Sequence, residues 1–224
     1  MTRTTMASLA FAIFAFLDVT ACLTDKPPLS PSAAVRSAQP ATQLLNSERI
    51  AQKFGNYDIE VLPDSNSNVR LSNLFSRHDG KKICRTFAAT FFAENIHPAL
   101  AAEHALIVEK GQSIGAVFKN NGWEVKKRPM FIGSLEKPGR RILQLMNSTQ
   151  EISLAMYIYV FSVVKGALEM PYATIAEVYH ARYLGEDDLW QMHGDDRSSL
   201  SMADEVARII ARVKLAGRLP DAAS

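Results

Sequence analysis

Residues 152–164 read Ile-Ser-Leu-Ala-Met-Tyr-Ile-Tyr-Val-Phe-Ser-Val-Val, a run without a charge. A membrane-spanning helix needs about 20 apolar residues, so this run is too short for that role. Its β-branched and aromatic side chains suit a pleated, buried surface, which predicts a central strand of a sheet. Residues 172–180, Tyr-Ala-Thr-Ile-Ala-Glu-Val-Tyr-His, have the same character and are expected to form its antiparallel neighbour. Strand side chains alternate between faces, so Tyr157, Tyr159 and Phe161 fall on one side. Such a row is either one packed face of a sheet or the wall of a pocket for an apolar ligand.

On the N-terminal side a two-residue period recurs: Tyr57, Ile59 and Val61 alternate with Asp58 and Glu60, the mark of a half-buried strand. A polar turn over 63–68 leads to a second strand over 69–76. Asp79-Gly80 then gives the strongest hairpin signal, because both central positions of a type I′ turn need positive φ; it joins that strand to a third over 82–92. Trp123 to Ile132 reads as a further strand, with Trp123 and Val125 on one side. Helices are expected in between. Ser47 is placed to cap one that sets Ile50, Ala51 and Phe54 on one side and stops at Gly55. Pro98 suits the first position of another, with Leu100, His104, Ile107 and Val108 on one face until Gly111. Ser113 is placed to cap a short helix ended by Gly122. Two more close the chain, over 186–193 and 201–216, the latter with Met202, Val206, Ile209 and Val213 on one stripe and its acids and Lys214 placed as the macrodipole prefers. This order of elements predicts one α+β domain over 47–218, a largely antiparallel sheet covered by helices, with a disordered tail over 219–224.

The chain has 224 residues, 47 % hydrophobic and 21 % charged, the balance of an ordinary globular domain. A formal net charge of +2 is too small to point to nucleic acid. The charges are unevenly distributed. Lys119, Lys126, Lys127, Arg128, Lys137, Arg140 and Arg141 crowd one segment, and Glu186, Asp187, Asp188, Asp195 and Asp196 another. The two segments either face one another or lie as solvated surfaces; the sharper expectation is that Lys126, Lys127 and Arg128 meet anionic lipid head groups or an acidic envelope partner.

The N-terminus carries a different signal. Arg3 precedes an uncharged stretch, Met6 to Leu17, and then Val19-Thr20-Ala21-Cys22, the three-part layout of a secretory signal over 1–21. An aliphatic residue, two small ones and Cys resemble the lipobox of bacterial lipoproteins; an ordinary signal peptide cut after Ala21 is the alternative reading. The resemblance covers only the signal and Cys22. It implies that Cys22 becomes the first mature residue and carries acyl chains, and two or more such chains make membrane residence effectively permanent. Leu23 after Cys22 favours the outer membrane over retention at the inner one, with the domain facing the periplasm. Residues 23–46 are rich in Pro, Ser, Ala and Thr without apolar period. Together with Cys22 they are expected to form a lipidated, flexible tether over 22–46, with a mean reach on the order of 25–30 Å. A lipidated Cys22 leaves Cys84, the second of two cysteines, without a partner in the chain, whereas an unmodified Cys22 leaves a disulfide between them open.

Chemical motifs are sparse. Glu94 to His97 and Glu177 to His180 have the Glu-x-x-His spacing that places two metal ligands on one helical face. The first straddles a predicted junction and the second lies in a predicted strand, where an odd offset sends its side chains to opposite faces. No metal and no cofactor is therefore expected. His104 reads as a core histidine, His193 as a cation at a helix end. Cys84 has the neighbours of an inert structural thiol. Glu177 interrupts an apolar strand, where a salt bridge to Arg141 or Arg182, or solvent exposure, is the expectation. No nucleophile elbow or phosphate loop is present. The functional expectation is a non-catalytic binding or scaffold module. A periplasmic hydrolase or transferase using Glu177, His180 or Cys84 is one alternative; a carrier of a lipid or other apolar ligand against Tyr157, Tyr159 and Phe161 is another.

Overall fold

The computed structural model describes residues 44–66, 68–148, 153–194 and 203–218. The signal segment, Cys22, tether residues 23–43 and the tail 219–224 lie outside the described residues, as do Ile152, Asp195, Asp196, Ser201 and Met202.

Among the described residues six strands form one sheet: β1 (Asp58–Val61), β2 (Val69–His78), β3 (Lys81–Phe92), β4 (Glu124–Leu135), β5 (Leu154–Lys165) and β6 (Leu168–Tyr179). Their order is β1-β2-β3-β6-β5-β4, and every neighbouring pair is antiparallel. The domain is thus α+β with an antiparallel sheet, as the strand periods predict. The two nearly charge-free runs pair with each other in its interior, joined through a turn where Gly166 takes φ 62°. The expected hairpin at Asp79-Gly80 forms with both residues at positive φ, 49° and 74°. Between Leu74 and Phe75 the register shifts by one residue of β3, leaving Arg85 unmatched. That bulge turns Cys84 to the same side as Phe87, and both are fully buried there.

Among the described residues six α-helices cover the sheet. On one side pack α1 (Asn46–Phe54), α2 (Ala101–Val108), reached through a 3-10 turn over Pro98–Leu100, α3 (Ile114–Asn120) and α5 (Glu186–His193); on the other pack α4 (Arg140–Leu145) and α6 (Ala203–Ala216). α6 buries Val206, Ile209 and Val213, the stripe the sequence assigns to it.

Three local readings change. Leu45 and Asn46, placed at the end of the tether by composition, are buried at 6 % and 5 % exposure. The first helix therefore starts at Asn46 rather than after a Ser47 cap. Its start is bonded instead by Glu48, whose carboxylate accepts from the Leu45 N–H at 2.8 Å, and Gly55 closes it with φ 77°. Ser113 precedes α3 without a side-chain cap bond. α4 was not expected from the sequence. It begins against the end of α6: the Arg141 N–H donates to the Gly217 carbonyl at 3.0 Å, and a Cβ on Gly139 would lie 2.1 Å from that oxygen. Only glycine allows this approach of two backbones.

Candidate functional site

The register of the sheet assembles residues distant in sequence beneath α1 and α3. Tyr157 lies opposite Glu177, Glu177 opposite Ala88, and Ala88 opposite Ser72; one step along, Tyr159, Ile175, Thr90 and Arg70 make a second row. Above these rows is a partly open cavity of about 60 Å³ that Leu45, Ile114, Lys127, Tyr159, Phe161 and Glu177 help to line. One enclosed water needs about 10–15 Å³ on the same measure, so the space suits a group of about four to six non-hydrogen atoms. Tyr159 and Phe161 of the aromatic row reach it, while Tyr157 stacks on His193 of α5, ring centroids 4.4 Å apart.

Glu177 is 4 % exposed and, among the described residues, has no arginine partner. The Asn46 side-chain amide donates to its Oε1 at 3.1 Å and the Tyr179 hydroxyl to its Oε2 at 2.5 Å, and the Tyr159 hydroxyl lies against the same carboxylate. Both expected alternatives, a salt bridge to Arg141 or Arg182 and solvent exposure, are thereby corrected. Arg141 pairs with Asp64 at the surface, and β6 points Glu177 inward with Ile175 and Tyr179. Burial, and then the neighbouring Glu177, push the Tyr159 and Tyr179 hydroxyls far up, so both remain donors. Asn46 holds the arrangement together: its amide also donates to Thr86 Oγ1 at 3.1 Å, and its Oδ1 accepts from the Tyr183 hydroxyl at 2.8 Å. No sequence signal marks Asn46, because its partners lie 40 to 137 residues away.

Two cations border the cavity. Arg70 of β2, 3 % exposed, donates to the carbonyls of Ile107, Gly111 and Gln112 at 3.0, 2.9 and 2.7 Å, and to Ser72 Oγ at 3.1 Å. It caps the C-terminal end of α2 as a cation should, and fastens the α2–α3 link to the sheet. Lys127 differs. Strand alternation sends it to the side of Val125, inward, while Lys126 and Arg128 face out. Its stem lies on the edge strand β4, but its ammonium sits 4.7 Å from the centroid of the Tyr159 ring. Among the described residues no acceptor is within hydrogen-bond distance of this ammonium. Burial depresses its pKa, only partly opposed by the charge of Glu177.

The basic triplet is therefore divided between two faces. Lys126 pairs with Glu169 at 2.9 Å and Lys119 with Glu48. Together with Arg141 on Asp64, these pairs spread the basic segment over several elements; among the described residues it makes no ion pair with Glu186, Asp187 or Asp188.

The histidines have separate surroundings. The His104 ring shares a 2.9 Å hydrogen bond with the Tyr172 hydroxyl and packs edge-on to Phe92, a satisfied core histidine. His97 Nδ1 accepts from the Ala99 N–H at 3.2 Å, a local helix-start bond. His193, expected as a cation, is instead held down to about 4 by burial, with Lys127 and Arg49 nearby; it is neutral near pH 7. His180 follows β6 and turns to the α4 side, where its ring bonds the Met146 backbone, while its Nδ1 accepts from the Arg182 N–H at 2.9 Å. Glu177 and His180 thus face opposite sides, as their odd spacing predicts. Cys84 lies in the core beneath α4 and α6, and burial pushes its thiol up to about 12. The three groups of the hydrolase reading do not share a cleft. Among the described residues no group of three or more metal-binding side chains is brought together, and no helix is long and apolar enough to cross a membrane.

A scan against protein-family models and a search of curated proteins find no match for this chain.

Proposed function

We propose that this chain is a lipid-anchored protein of the bacterial envelope whose α+β domain is a non-catalytic binding module, with its ligand site in the cavity beneath α1 and α3. One observation carries the binding assignment: most of the buried charged and hydroxylic side chains lie on one face of the sheet, and several of them, with Asn46, border a cavity there. Buried polar groups cost stability unless fully satisfied, and a domain that needed only a core would gain more from apolar residues there. The carrier alternative rests on the same cavity, since Tyr159 and Phe161 line it. Its size suits a small ligand or the end of a larger one rather than an acyl chain.

The anchor assignment is supported by the Val19-Thr20-Ala21-Cys22 motif. The basic triplet adds little to it, because Lys127 is turned into the domain. The outer membrane, with the domain facing the periplasm, is the proposed residence. Fractionation of cells expressing the full chain and Cys22→Ser tests the anchor. The parent protein is expected in the membrane fraction, with acyl mass on Cys22, and the variant in the soluble fraction. Membrane retention of Cys22→Ser would overturn the anchor. Native mass spectrometry of the detergent-extracted protein, before and after Ala88→Leu fills the cavity floor, tests the site. Small-molecule adducts are expected on the parent alone; adducts that persist in the variant would place binding elsewhere.

A further inference from the structure

The charges facing the cavity do not balance. Lys127 comes from β4 and Arg70 from β2, against the single carboxylate Glu177 of β6. Arg49 of α1 is near enough to act electrostatically on Lys127, and the neutral His193 of α5 lies close by. The carboxylate is already engaged by Asn46 and Tyr179, with Tyr159 beside it. Arg70 has four of its five N–H donors on three carbonyls and Ser72, so its charge is already solvated by the fold. What remains is the Lys127 ammonium, turned inward over an aromatic ring, with no acceptor in reach among the described residues. Buried charges in folded proteins are paired or hydrogen-bonded, and this ammonium, on a half-buried side chain, opens onto a space for about four to six non-hydrogen atoms.

We infer that the cavity takes a small monocarboxylate, its head on the Lys127 ammonium and its short apolar body against Ile59, Leu74, Ile114 and Phe161. This rests on the cavity being the ligand site, as proposed above. A carboxylate suits the space better than a phosphate. About half of the lining residues are aliphatic or aromatic, and the one lysine there matches a single negative charge, whereas a phosphate dianion carries a second charge and further acceptor oxygens that need donors. Cationic ligands meet an excess of positive charge. Neutral ones, even with a carbonyl acceptor, leave the charge of the ammonium without a counter-charge.

The test uses the full, acylated chain in detergent micelles at constant ionic strength, with binding read by calorimetry and by the shift in unfolding temperature. The probes are butyrate, its neutral amide, butylamine and inorganic phosphate. Butyrate is expected to bind saturably and raise the unfolding temperature as mass action requires; the other three are expected to do so at least about tenfold less well. Lys127→Met should weaken butyrate at least about tenfold, while Lys126→Met, its outward neighbour, should leave it unchanged. Lys127→Arg, which keeps the charge, should retain part of the binding and covers the case in which Lys127→Met misfolds. Equal binding of butyrate and its amide, or tighter binding of butylamine or phosphate, would overturn the carboxylate assignment and leave the cavity as a site. Failure of all four probes would remove both. Butyrate binding unaffected by Lys127→Met would overturn the role of Lys127.

Discussion

The two faces of the sheet are built from the same strands and differ in kind. Beneath α4 and α6 the core is Leu, Ile, Val, Met, Ala, Phe and a protonated Cys84, with Asn73 opposite Phe87 on the same face. Beneath α1, α2, α3 and α5 it includes Tyr157, Tyr159, Tyr172, Tyr179, Tyr183, Glu177, Asn46 and Arg70. An apolar face is stabilised in proportion to the area it buries. A polar face is stable only while each group keeps its partner. One side of the domain therefore holds the fold together, and the other spends part of that stability on placing donors and charges. Truncation, proton uptake and isosteric replacement should act differently on the two.

The largest effect is expected on the apolar face. Ile142 of α4 is fully buried and packs where α4 meets the end of α6. Ile142→Ala should cost about 4 kcal/mol, read as a lower denaturant midpoint at unchanged slope. A loss below about 1 kcal/mol would mean that α4 is not part of the cooperative unit.

Much of this architecture is legible in the chain, and the exceptions have physical reasons. Strands and their turns are local: Asp79-Gly80 and the alternation around Ile59 need only a few residues to be read. Arg140–Leu145 is less than two turns long, and its helix is held by the Gly217 carbonyl of a segment far along the chain. The inward turn of Lys127 was implicit in the alternation that puts Trp123 and Val125 on one side, yet the charge of its neighbours suggested a surface patch. Glu177 gave no sign of its partners, because its bond to Asn46 spans 131 residues. Register between strands separated by whole helices is set by tertiary packing, and the site is a product of that register.

Acid should damage the polar face next. His193 has a folded-state pKa of about 4 against 6.5 for the free side chain. The unfolded chain therefore binds this proton first as pH falls, so the stabilisation is complete above about pH 6.5 and is lost progressively down to about pH 4. The shift corresponds to about 3 kcal/mol. His104 and His180 are lowered too and add in the same direction. Unfolding measured across this range should show the loss, and His193→Phe, which preserves an aromatic stack on Tyr157, should flatten its main part. An unchanged slope in that variant would sink the assignment.

Asn46→Ala should cost about 2 kcal/mol, since it strips one donor each from Glu177 and Thr86 and the acceptor of the Tyr183 hydroxyl. Ser47→Ala, one residue on and half-buried, serves as its control and should change stability by less than about 0.5 kcal/mol. If the two cost the same, Asn46 acts only through the start of α1 and not through the network on β6.

The smallest stability effect is expected at the residue that matters most to binding. Lys127→Met keeps the length and apolar stem of the side chain, and removes a charge whose desolvation no nearby acceptor offsets. Replacing a poorly compensated buried charge with an apolar group of similar shape is often neutral or stabilising. The unliganded variant should therefore be as stable as the parent or up to about 1 kcal/mol more stable. A loss above about 1 kcal/mol would show that Lys127 is a structural counter-charge to Glu177, and the polar face would then be a costly core rather than a site. A residue that the fold would be as stable without, kept inward on an edge strand where solvent was one rotation away, is held there for something other than the fold.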